Sequence, residues 1–331
     1  MNAIRKILVA VKNPDARRHP AIDKAIHIAK TLGASVEFFH AIAEPVFLEI
    51  PTLTGQSISE LKREALEYRQ KRLDKLVARA RELGVEASGE VEWDFPVHEA
   101  IVRRAVRCRA GLIVAECHQG RRTAPWLVHL TDWELLRTSP MPVLLLKNAK
   151  PWGRAPVLAA VDPSHAHAKP SGLDAEIVTQ AGRLASATRA ALHLVHANYP
   201  PFVGVSVGEP DMEGSLLAAY YERQKKQDRK DFSDFATEAS ISSSRRHLFS
   251  GAPVEAIPEA AHTLRASVVV MGAVSRSGLK RVFIGNTAER VLNRLSCDVL
   301  VVKPAHFTKR VSGKSRGMRM IAPQPLVPMP V

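Results

Sequence analysis

Two stretches of this chain repeat each other, and that repetition constrains the fold more than any single motif. Residues 6–14 (KILVAVKNP) align with residues 156–164 (PVLAAVDPS) at an offset of 150. Further on, Glu99-Ala100-Ile101 meets Glu255-Ala256-Ile257, and Val143–Lys147 meets Val299–Lys303, at an offset of 156. A modest insertion in the second copy reconciles the two offsets, so one folding unit has been made twice. The 331 residues suit two domains, each large enough to bury a core of its own. The expected boundaries are 1–150, 151–305 and a tail at 306–331.

Within each copy, short apolar runs alternate with amphipathic stretches. In the first, Ile4–Val11 reads as a strand, and Ala21–Leu32 as a helix with Ile22, Ile26, Ala29 and Leu32 on one face and a stop at Gly33. Ser35–Ala43 is a strand, Ser59–Leu83 a long charged helix, and Val85–Trp93 a strand. Val97–Cys108, Gly111–Glu116, Trp126–Arg137 and Val143–Lys147 complete the copy as helix, strand, helix, strand. The second copy repeats this order from Val157–Val161 to Val299–Lys303. Such alternation predicts an α/β fold in which each copy is a five-stranded parallel sheet with helices on both faces. Ligands are then expected beyond the strand ends, where strand order reverses. Asn148–Pro156 reads as a linker, and the proline- and glycine-rich segment Tyr199–Pro210 as a loop over the pocket.

The formal charge of +14 invites a nucleic-acid reading, but its distribution opposes one. Residues 1–150 hold 24 basic against 18 acidic residues, and residues 151–303 hold 18 against 15. The last 28 residues hold 5 against none, so over a third of the excess sits on a short basic and then proline-rich tail expected to be disordered, and the two domains are only mildly basic. Nucleic acid is therefore not an expected partner. Cys108, Cys117 and Cys297 are odd in number and lack a metal-type spacing, as do the pair His165 and His167 and the group Cys117, His118 and His129. No metal is expected. No apolar run reaches the ~18 residues of a membrane span, and the N-terminus leads directly into a strand pattern, so a cytoplasmic protein is expected.

The stretch Val268–Gly272 is apolar without alternation, stops at a glycine, and opens into a loop rich in glycine, serine and cationic residues. Gly285-Asn286-Thr287 then precedes a helical pattern. Gly272, Ser275, Gly285, Asn286 and Thr287 could together cradle a phosphate, with Arg276, Lys280 and Arg281 nearby, or could only make a tight turn and a helix cap. Asp162, at the end of the first strand of the second copy, is open to the same two readings, ligand contact or turn residue.

The spacing Gly272-x2-Ser275-x9-Gly285-Asn286-Thr287 resembles the nucleotide loop of universal stress proteins, Gly-x2-Gly-x9-Gly followed by Ser or Thr, with Ser275 in place of the second glycine and Asn286 in place of the hydroxyl residue. Residues 112–114 (LIV), His118-Gln119, Thr131–Arg137 and Pro140-x-Pro142-Val143 extend the likeness to the first copy, and the whole resembles the tandem, E-type bacterial form. The resemblance implies two such domains paired through their last strands, Val143–Lys147 beside Val299–Lys303, as a pseudo-dimer. It further implies an adenine nucleotide such as ATP in the second domain, with Asp162, Ala197 and Met271 about the base. In the first copy the same columns hold Lys12, Glu116, Gln119, His129, Leu130 and Thr131. A carboxylate and the loss of both glycines oppose phosphate there. That copy is expected to be structural or to hold an uncharged or apolar ligand, lined by Trp126 and Trp133 if those are not core.

No nucleophile elbow, Walker loop or His-Glu-x2-His helix is present, so a non-enzymatic ligand-sensing protein, monomeric or homodimeric, is expected. The readings carried beside it are an interaction protein, holding an apolar molecule or docking a protein partner through the Lys309–Arg319 cluster, and a slow ATPase.

Overall fold

The computed structural model describes residues 4–47, 57–117, 130–164, 172–199, 210–273, 286–304, 307 and 311–321. The chain divides into two compact units, Met1–Met141 with Lys309–Val331, and Pro142–Thr308.

In the first unit the strands β1 (Lys6–Ala10), β2 (Ser35–Ile42), β4 (Ala87–Trp93) and β5 (Leu112–Glu116) lie in the order β4-β2-β1-β5, all parallel. Consecutive residues of β1 and β5 are buried, Ile7, Leu8 and Val9 completely, so both faces are covered and the apolar runs need no alternation. The helices are α1 (Pro20–Leu32), α2 (Ile58–Glu82), α3 (Val97–Arg107) and α4 (Leu130–Thr138). Helix α1 ends at Gly33 in the left-handed region, φ 63°, as the sequence predicts. A capping box fixes the start of α2: Ser57 Oγ accepts from the Glu60 backbone, and Glu60 accepts from the Ser57 backbone N–H at 2.8 Å. Gly89 lets α2 lie close on β4, since a Cβ there would sit 2.9 Å from Val77 Cγ2 and 3.1 Å from Leu73 Cδ2.

The second unit holds β6 (Val143–Leu146), β7 (Val157–Ala160), β8 (Leu192–Asn198), β9 (Arg246–Ser250), β10 (Val268–Gly272) and β11 (Asp298–Val302), in the order β6-β11-β10-β7-β8-β9. Its helices are α5 (Leu173–Thr188), α6 (Pro210–Glu238), α7 (Pro253–Thr263) and α8 (Asn286–Arg294). The five strands of the second copy are parallel, and β6 runs antiparallel against β11 with Leu144 opposite Leu300. The expected pairing of last strands is therefore present. It also moves the boundary, because β6 belongs by sequence to the first copy and by packing to the second unit. The linker is not loose either. Buried Asp298 accepts from the backbone N–H of Lys147 at 2.8 Å and from Trp152 Nε1 at 2.5 Å.

The expectation of a disordered tail is wrong over residues 311–321. There Val311 is buried, β12 (Met320–Ile321) pairs with β3 (Val46–Phe47), and the Arg316 backbone N–H donates to Asp94 Oδ1 at 2.8 Å. Arg316 Nη2 also reaches Glu99 at 2.7 Å. A basic segment without acidic residues finds its acceptors on the first unit rather than in water. Ending the chain at Thr308 should cost about 1–3 kcal/mol, because Asp94 loses the Arg316 donor and the Val46 N–H of β3 loses its acceptor, Arg319 O, and water replaces them only in part. An unchanged thermal midpoint would show that this docking contributes nothing to stability.

Candidate functional site

The strand C-termini of both units carry the candidate site residues. In the second unit β7 ends at Ala160, and buried Val161 donates its N–H to Val195 O at 3.0 Å. Asp162 follows, its backbone N–H held by Asp174 Oδ1 of α5 at 3.2 Å and its side chain 38% exposed. The Asp162 carboxylate lies 3.8 Å from His196 Nδ1 on β8, and that nitrogen donates to Val161 O at 3.1 Å. Ala197 is the next residue of β8, and Met271 on β10 is opposite Ala160 of β7. Asp162, Ala197, Met271 and Gly272 therefore share one edge of the sheet, on the neighbouring ends of β7, β8 and β10.

The loop residues divide. Ser275 and Gly285, with Arg276, Lys280 and Arg281, lie outside the described residues, as does most of Tyr199–Pro210. Asn286 opens α8, and Thr287 is exposed on its first turn. Gly272 turns out to serve packing: a Cβ there would stand 2.8 Å from Leu173 Cδ2 and 3.3 Å from its Cγ. The missing side chain thus makes room for the start of α5. At the root of the loop Lys303 Nζ donates to Ala273 O at 3.0 Å and lies over the Phe307 ring. Burial pulls the Lys303 ammonium down to about 8.

In the first unit the corresponding strand ends enclose a cavity of about 390 Å³. Its apolar walls include Val11, Phe39, Val97, Ile101 and Leu135, and its polar lining among the described residues is Lys12, His40, Glu44, Glu116, Thr131 and Asp132. Trp133, expected at such a ligand, is not among the lining residues, and Trp126 lies outside the described ones. Glu116, at the end of β5, accepts from the Ala21 backbone N–H at 3.1 Å. A carboxylate of the chain itself thereby takes the anion position at the N-terminus of α1.

Sequence reasoning passed over His40 and His196, although both occupy one column at the offset of 156. His40 Nδ1 lies 2.8 Å from Val11 O and, the carbonyl being only an acceptor, must carry the proton. Burial lowers the affinity of the ring for a second proton. Its Nε2 is thus a bare acceptor, buried and with no hydrogen-bond partner among the described residues. No cluster of three His, Cys, Asp or Glu side chains suited to a metal occurs among the described residues, and no helix there is long and apolar enough to cross a membrane.

A parallel α/β unit made twice, with its candidate groups at strand C-termini and the last strand of one copy laid antiparallel on that of the other, defines a tandem protein of the doubly wound class. The chain belongs to the universal stress protein family, whose profile matches residues 3–147 and 155–303. It is 27% identical over 312 residues to Universal stress protein E of Salmonella typhi, covering 92% of this chain and 96% of the relative. The protein of the same name from Escherichia coli K12 matches equally, at 27% over 312 residues. Among solved structures, a putative universal stress protein from Pseudomonas aeruginosa UCBPP-PA14 is similar at a TM-score of 0.68 and 28% identity, over 92% of this chain and 94% of that one. A universal stress protein from Archaeoglobus fulgidus shares the fold at a TM-score of 0.58 and 17% identity, over 90% and 97% of the two chains.

Proposed function

We propose that this stress-response protein acts by binding rather than by turnover, and that the second unit holds an adenine nucleotide at the ends of β7, β8 and β10. The observation that carries the reading is Asp162: a partly exposed carboxylate on a strand terminus, its backbone held by Asp174, beside buried Ala197 and Met271. Such a carboxylate can accept from an exocyclic amine while the apolar neighbours receive a flat ring. The resemblance of Gly272-x2-Ser275-x9-Gly285-Asn286-Thr287 to the family's nucleotide loop supports a phosphate beside it. The use of Gly272 for packing does not oppose this, since Gly272 keeps its place at the loop root.

ATP at a hundredfold excess over its Kd should stabilise the protein by about 2.7 kcal/mol, read as a rise in thermal midpoint. Asp162→Ala should abolish the rise. A folded protein indifferent to saturating ATP and ADP would end the nucleotide reading. Phosphate release that tracks Asp162 would replace binding by slow hydrolysis.

A further inference from the structure

We propose that His196 is a positioning residue of the second-unit site, holding the peptide plane before Asp162 so that the carboxylate faces the amine of an adenine. The inference rests on the nucleotide reading of that site and adds to it the group that sets base selectivity.

The carbonyl of Val161 and the N–H of Asp162 are the two polar ends of one planar peptide unit, and each is tied. His196 Nδ1 donates to the carbonyl at 3.1 Å, and Asp174 Oδ1 accepts from the N–H at 3.2 Å. A peptide pinned at both ends cannot turn over, so the direction in which Asp162 leaves the sheet is set before any ligand arrives. At 3.8 Å from Asp162 Oδ1, the same histidine nitrogen is too distant to claim that oxygen with a hydrogen bond. The ring therefore acts on the carboxylate through the backbone.

The histidine is itself held. It is 1% exposed, and its ring stacks on buried Phe232 of α6 with centroids 5.6 Å apart and planes 26° from parallel. Swinging it away would strip the carbonyl of buried Val161 of its donor, which burial makes costly. The same tie is built into the first unit, where His40 Nδ1 lies 2.8 Å from Val11 O and the next residue is Lys12. The tie thus belongs to the repeated unit, and the residue after the tied carbonyl decides what is presented: a lysine in one unit, an aspartate in the other.

The test is calorimetric titration of the full chain with ATP and with ITP, whose base carries a carbonyl where adenine carries the amine. The wild-type chain should bind ATP at least about tenfold more tightly, since a carboxylate accepts from the amine and repels the carbonyl. His196→Leu removes the donor and should reduce that preference to about twofold, while His196→Asn, which offers an amide N–H in place of Nδ1–H, should restore most of it. A merely structural histidine would weaken both nucleotides together and leave their ratio alone. Should His196→Leu fail to melt cooperatively, Asp174→Ala carries the test, because it frees the other end of the same peptide and should lower the ratio in the same way. An undiminished ratio in the variants that fold, or no recovery in His196→Asn, would overturn the proposal and leave the nucleotide reading standing. A wild-type chain that binds ATP and ITP alike would overturn the proposal by removing Asp162 from the base. One that binds neither would overturn the nucleotide reading and the proposal together.

Discussion

Asp94→Ala should lower the stability of the first unit by about 3–5 kcal/mol, the cost of stranding a buried charge. Asp94 is fully buried and Arg103 is 2% exposed, with guanidinium and carboxylate 2.7 Å apart. Removing the carboxylate leaves Arg103 with Glu99 at 2.9 Å as its remaining ionic partner. It also leaves the backbone N–H groups of Phe95 and Arg316 without the acceptor they share, Asp94 Oδ1. Two readouts should therefore move together: the urea midpoint of the first unit, and the rate at which a protease cuts near Arg316. A double variant, Asp94→Leu with Arg103→Met, should recover most of the stability, since an apolar pair of similar volume replaces a charged pair at little cost. It should not restore the tail. A loss under about 1 kcal/mol in the single variant would mean that Arg103 finds water or another acceptor, and the buried pair would lose its structural role.

Asp298→Ala is the counterpart in the second unit and should cost about 3 kcal/mol, through buried donors left unmet. Asp298 opens β11 with no exposed surface, and its carboxylate binds the segment leaving β6 at Lys147 N, Asn148 N and Trp152 Nε1. Lys147 is held a second time, its ammonium donating to the carbonyls of Leu292 and Leu295 at the end of α8. The variant should therefore loosen the segment more than it disturbs β6, which stays paired through Leu144 and Leu300. Hydrogen exchange at the Lys147 amide is the measurement of choice. Undiminished protection there would show that the strand pairing alone holds the segment.

These variants mark where sequence and structure part. Strands buried on both faces declare themselves as uninterrupted apolar runs, so β1, β5, β7, β10 and β11 could be read directly. Helix α2 was readable for a different reason, its local apolar stripe, although the capping box at Ser57 and Glu60 was not read and the expected start at Ser59 falls one residue late. The candidate site was half readable. Asp162, Ala197 and Met271 do meet at adjacent strand ends, because a parallel sheet brings its C-termini to one side whatever the sequence between them. The packing at Gly272 could not be read, since Leu173, the residue that needs the space, lies 99 positions earlier and on another element. His40 was missed because a lone histidine in an apolar strand carries no local signal. Only the Val11 carbonyl, which claims one nitrogen and leaves the other buried, gives it a chemistry.

By itself, the sequence determined the duplication and the α/β alternation, because each follows from the periodicity of apolar residues along the chain. Only the tertiary structure decided that β6 packs with the second unit and that the basic tail is docked on the first. It alone showed that Glu116 caps α1 around an acidic cavity. The reason is one of range: Arg316 and Asp94 are 222 residues apart, Lys147 and Asp298 151, and Glu116 and Ala21 95. A hydrogen bond of that separation leaves no periodic trace in the chain. It exists because burial in the folded unit makes an unmet donor or acceptor costly, and folding brings the partner within reach.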